Sequence, residues 1–93
     1  MYLLIDLWVK ENGREKTLPG LGFTTRQLFW MSFARWQCTK YADEHLKWRI
    51  KHDVHAPFKY RTNGPLQNNN EFANDFDCKR GSGMNPEKKC NVW

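Results

Sequence analysis

The stretch TTRQLFWMSFARWQCTKY, residues 24–41, decides the fold class. Thr24 followed three residues later by Gln27 predicts a capping box, the hydroxyl bonding one free backbone N–H and the amide bonding back to another. From there to about Tyr41 the pattern predicts one helix, with Leu28, Phe29, Phe33 and Trp36 forming a broad apolar face. A helix apolar over so much of its circumference needs cover on more than one side, and so predicts burial inside something larger than 93 residues.

The flanks extend a mostly helical picture. YLLIDLWVKEN predicts the end of an amphipathic helix, with Leu4, Leu7 and Trp8 on one stripe and Gly13 as its stop. ADEHLKWRI suits a short helix. KHDVHAPFKYRTNGP reads as extended or looped, because Pro57 disfavours helical geometry at Ala56 and Asn-Gly-Pro is turn chemistry. In QNNNEFANDFDC, Asn68 as cap and Glu71 three residues on predict a further helix, with Phe72 and Phe76 on one face. Asn85 followed by Pro86 predicts a last helix start. The chain shows no repeat, low-complexity tract or domain boundary.

Composition narrows the function classes. Fifteen Lys and Arg against ten Asp and Glu give a net charge of +5, but the basic residues are scattered, which argues against nucleic-acid binding. Met1–Val9 is too short for a membrane span and carries Asp6. The ending CNVW has the spacing of a prenylation box, yet Asn91 follows Cys90 and Trp93 closes the chain, neither a usual choice, so no prenyl anchor is expected. Three cysteines, Cys38, Cys78 and Cys90, are an odd number for a self-contained disulfide domain and too widely spaced for a zinc knuckle.

The densest polar group is HDVHAPFKYR. In extended chain, Asp53 and His55 share a side, where the carboxylate can select the tautomer of the imidazole. Arg61 offers a planar fork to a carbonyl or carboxylate. From the residues alone the segment is also read, more plainly, as a solvated loop with an incidental Asp–His contact. His52 and His55 would share a face for a metal only in a helix, which Pro57 opposes.

ENGREKTLPGL, QLFWMSFARWQC, DVHAPFKYR, LQNNNEF and MNPEKKCNVW together resemble, in order and spacing, the C-terminal end of the neprilysin and endothelin-converting-enzyme family of zinc metalloendopeptidases. The resemblance runs from about Tyr2 to Trp93. It implies a mainly helical fold, with residues 1–93 forming the C-terminal portion of a large zincin-type catalytic lobe and no autonomous domain. It further implies that Cys38, Cys78 and Cys90 pair with cysteines upstream of this chain, and a setting at the extracellular face, as a type II membrane ectodomain or a secreted protein. The family's zinc motifs, His-Glu-x-x-His and Glu-x-x-x-Asp, are not in this sequence, so zinc belongs to the intact enzyme and these residues alone are expected to bind none and cleave nothing.

By the same resemblance His55 matches a histidine that hydrogen-bonds the tetrahedral oxyanion, Asp53 the acid that orients it, and Arg61 an arginine that grips a peptide substrate beyond the scissile bond. The implied partners are peptide substrates and the rest of the peptidase chain. Arg35 and Trp36 depart from the family pattern, which tends to have Gln after Phe-Ala and Trp directly before the cysteine. A start at Met1 inside a helix fits a coding sequence shortened upstream, and the alternative reading is a truncated, inactive product that acts at most as an interaction module.

Overall fold

The computed structural model describes residues 2–90, and the readings of Asn91 and Trp93 fall outside them. Five helices follow one another: α1 (Tyr2–Asn12), α2 (Thr25–Trp36), α3 (Asp43–His52), α4 (Phe58–Gln67) and α5 (Asn70–Asp75). The described residues form no sheet; a single bridge joins Ser82 and Asn85. The fold is mainly helical, as the sequence predicts.

Helix boundaries follow local chemistry. Helix α1 stops where Gly13, at φ 80°, turns its N–H back to the Val9 carbonyl at 2.8 Å; that left-handed geometry suits glycine. The capping box of α2 is present on both sides, Gln27 N–H to the Thr24 hydroxyl at 3.2 Å and Thr24 N–H to the Gln27 amide oxygen at 3.0 Å. Its end comes earlier than Tyr41, with Gln37 as C-cap.

Other expectations are corrected as well. Residues 58–65, read as extended or looped, lie in α4 despite Gly64 and Pro65. Pro57 sits just outside this helix at φ −54°, its carbonyl accepting from the N–H groups of Tyr60 and Arg61, so it starts the helix instead of prolonging the loop. The cap of α5 is Asn69, not Asn68: the Asn69 side chain accepts from the Phe72 N–H at 3.0 Å. Asn68 instead ends α4, donating to the Gly64 carbonyl at 2.8 Å and accepting from the Cys90 N–H at 2.7 Å. Asn85 caps no helix. It donates to the Cys78 carbonyl at 2.8 Å and closes the turn whose Gly81 N–H returns to the Asn85 carbonyl.

The packed corner is where α5 meets α2 and α4. Trp30, Leu66 and Ala73 are the buried apolar residues there. Trp30 stands edge-on to Phe29 and to Phe72, with ring centroids 4.9 and 5.8 Å apart. Phe72 lies 5.0 Å from Phe76, the shared face the sequence predicts. The Trp30 indole N–H donates to the Asp75 carboxylate at 2.7 Å, and the Gln27 amide donates to the Asp75 carbonyl at 2.8 Å. Arg26 joins Asp6 of α1 to the same region.

Much apolar surface stays uncovered. Trp36, expected on the buried face of α2, is 87% exposed, while Gln37 beside it is buried with its amide oxygen unbonded. Leu4, Leu7 and Trp8 also remain exposed. The radius of gyration is 16.0 Å, against roughly 12 Å for a compact domain of this length. The helices are open to solvent where a compact domain would close them.

Candidate functional site: the Asp53–His55 loop

Residues 53–57 link α3 to α4 and hold the expected pair in bonding contact. Asp53 is the C-cap of α3, its N–H bonded to the Arg49 carbonyl at 2.9 Å. Its φ of −88° and ψ of 133° are extended, and this sends the chain out of the helix. Oδ1 of Asp53 then accepts from the His55 backbone N–H at 2.8 Å and lies 3.0 Å from His55 Nδ1. A short acidic side chain bonding its own backbone two residues on is a favoured turn device, here extended to the imidazole.

The other oxygen is engaged as well. Oδ2 of Asp53 pairs with the Arg49 guanidinium at 2.6 Å, one helical turn back. The Asp53 carboxyl is held below its ordinary value of 3.8 chiefly by the His55 backbone N–H, with the His55 ring bond and the Arg49 charge adding to it and partial burial opposing it. With Asp53 ionised, the imidazole presents Nδ1–H inward and Nε2 outward. The ring is 62% exposed, so Nε2 is available to an incoming group.

Arg61 is placed differently. It lies in the first turn of α4, outside the Asp53–His55 bonds, with its guanidinium 5.5 Å from the Phe58 ring centroid. Arg49 stands over the same ring at 5.5 Å and over Tyr41 at 5.4 Å. Tyr41 and Phe58 lie nearly parallel, 6.0 Å apart. The sequence reading passed over Arg49, Tyr41 and Phe58. The signal was the four-residue spacing of Arg49 and Asp53, which becomes one helix face only because α3 runs on to His52.

His52 ends α3 with its ring tilted against Trp48 at 5.3 Å, while His55 lies beyond the helix, so the two imidazoles share no helical face. Among the described residues no three His, Cys, Asp or Glu side chains converge to hold a metal ion, and the Asp53 carboxylate is already taken by Arg49 and His55. The donor set here does not fit zinc. Cys38, Cys78 and Cys90 are free thiols in this structure. No described helix is long and apolar enough to cross a membrane. Two hollows, of about 480 Å³ beside Arg14, Thr25 and Asp75 and about 610 Å³ beside Phe33, Trp36 and Leu66, are lined by none of Asp53, His55 and Arg61.

Comparison with known proteins gives this loop its context. Residues 6–92 match the model of peptidase family M13. The chain is 50% identical over 92 residues to neprilysin of Mus musculus and 45% identical over 92 residues to neprilysin-2 of Drosophila melanogaster. It is also 45% identical over 92 residues to endothelin-converting enzyme 1 of Bos taurus. Each alignment covers 99% of this chain but 12% of the relative, so the chain corresponds to a short segment of much longer proteins. The extent of the family match establishes that this chain belongs to peptidase family M13.

Proposed function

We propose that residues 1–93 are the C-terminal part of the catalytic domain of a neprilysin-like zinc metalloendopeptidase, the part that lends an oxyanion-binding histidine to the hydrolysis of extracellular peptides. The observation that carries this reading is the Asp53–His55 pair, bonded twice through one carboxylate oxygen on an exposed loop. When Nδ1–H is given to Asp53, Nε2 donates outward only from the doubly protonated ring. That ring, beside a carboxylate, is suited to an oxyanion that forms as a peptide carbonyl turns tetrahedral. Such a donor acts on charge that develops in the transition state and therefore acts on kcat.

Arg61 has a positioning role in this reading, holding a carbonyl of the peptide beyond the scissile bond. Zinc, in the intact enzyme, is held by residues outside 1–93. Cys38, Cys78 and Cys90 pair with cysteines outside this chain, in an oxidising compartment at the extracellular face or in secretion.

The reading is tested in a hybrid in which this chain replaces the aligned 92 residues of mouse neprilysin. His55→Ala is expected to lower kcat for a fluorogenic peptide about 10²–10³-fold, the cost of one oxyanion donor. Unchanged turnover would remove His55 from the mechanism.

The uncovered apolar surface, Trp36 and Val54 above all, favours a second reading, an inactive segment that acts as an interaction module. In-frame codons for His-Glu-x-x-His upstream of Met1 would decide for the enzyme, and a stop codon directly upstream for the module.

A further inference from the structure

We propose that Arg49 is a positioning residue for His55, acting through Asp53. The inference rests on the reading of His55 above and deepens it. A carboxylate is rigid and planar, so whatever holds Oδ2 sets where Oδ1 points. Arg49 holds Oδ2 at 2.6 Å, and Oδ1 faces both the N–H and the Nδ1 of His55.

Arg49 is itself held. Its side chain is 18% exposed, and the guanidinium lies against two rings contributed from outside its own helix, Tyr41 before α3 and Phe58 at the start of α4. An arginine on an open surface samples many rotamers and contributes little through its ion pair. One kept over two rings and largely buried has few alternatives, and its planar fork gives direction as well as charge. Its Nε makes no hydrogen bond, so the bond to Asp53 is its directional contact on this loop. The chain of support runs from two aromatic rings to a guanidinium, then to a carboxylate, and last to the imidazole.

The test uses the same hybrid and a double-mutant cycle. Arg49→Gln is expected to lower kcat about tenfold or more with KM unchanged, within the ~10²-fold that a 1 Å misplacement costs. In a His55→Ala background Arg49→Gln should cost nothing further. Arg49→Lys, which keeps the charge without the fork, should fall between wild type and Arg49→Gln, and it carries the same KM-against-kcat comparison if Arg49→Gln does not fold. A full extra loss in the His55→Ala background, or no loss from Arg49→Gln where His55→Ala is severe, would overturn the inference. If His55→Ala itself is silent, the reading of His55 fails instead. Arg49 is then judged by the Asp53 carboxyl in the hybrid, whose NMR titration midpoint rises in Arg49→Gln if the hold is real and stays put if it is not.

Discussion

The corner around Trp30 and the loop around His55 are held in opposite ways. At the corner, α2 and α5 exclude water from an indole, and the hydrogen bond to Asp75 satisfies the one polar atom the indole buries. At the tip of the loop little is excluded: Val54 is 93% exposed and the His55 ring largely open. Order there comes from directional bonds to one carboxylate, braced by an arginine against two rings. Packing keeps helices together, whereas an exposed side chain has no packing to fix it. Its geometry is therefore set by charge and hydrogen bonding.

Two substitutions in the hybrid should separate these regimes most sharply. The large kcat loss of His55→Ala should leave amide exchange in α2 and α5 unchanged. Trp30→Ala should do the reverse locally, with amides of α2 and α5 exchanging about 10²-fold faster, the equivalent of ~3 kcal/mol for a large buried aromatic. Faster exchange of those helices in His55→Ala would mean that the two regions are one cooperative unit.

Arg61→Ala comes next. In the proposed role, holding peptide without bonding to Asp53 or His55, it should raise KM more than it lowers kcat, read from initial rates against substrate concentration. A loss confined to kcat would place Arg61 with His55 instead.

A smaller effect tests the corner alone. Asn69→Ala removes the α5 cap at ~1 kcal/mol, or about fivefold faster exchange of the Phe72 amide. Asn68→Ala should spare that amide and expose the Cys90 N–H.

The smallest concerns pH. Because folding lowers the Asp53 pKa, its contribution to loop stability is complete above the unfolded value of about 3.9 and is lost as pH falls through the lower folded value. NMR of the Asp53 carboxyl should give a midpoint below 3.8. A midpoint above it would mean that the loop is held by something other than these bonds.

Legibility in the sequence divides along the same line. The pairing of Asp53 with His55 was readable because two residues on a short extended link have few places to go. The α2 cap was readable because Thr24 and Gln27 satisfy each other locally. Arg49 was not, since its role depends on where α3 ends and on rings from two other segments. Helix α4 was hidden by Gly64 and Pro65, whose turn preference is overridden where Leu66 buries itself against its neighbours. Nor was the burial of Trp30 legible: the apolar spacing points to Trp36, and only the contacts with α5 show that Trp30 is the tryptophan that is covered.

By itself, then, the sequence determined a mostly helical segment, the cap of α2, the stop at Gly13 and the local acid–imidazole pair, all of them set by bonds among near neighbours. Tertiary structure decided which tryptophan is buried, that 58–67 coils into a helix, and that Arg49 braces Asp53. Those outcomes depend on contacts between residues far apart in the chain, where burial and fixed geometry outweigh the preference of any single residue.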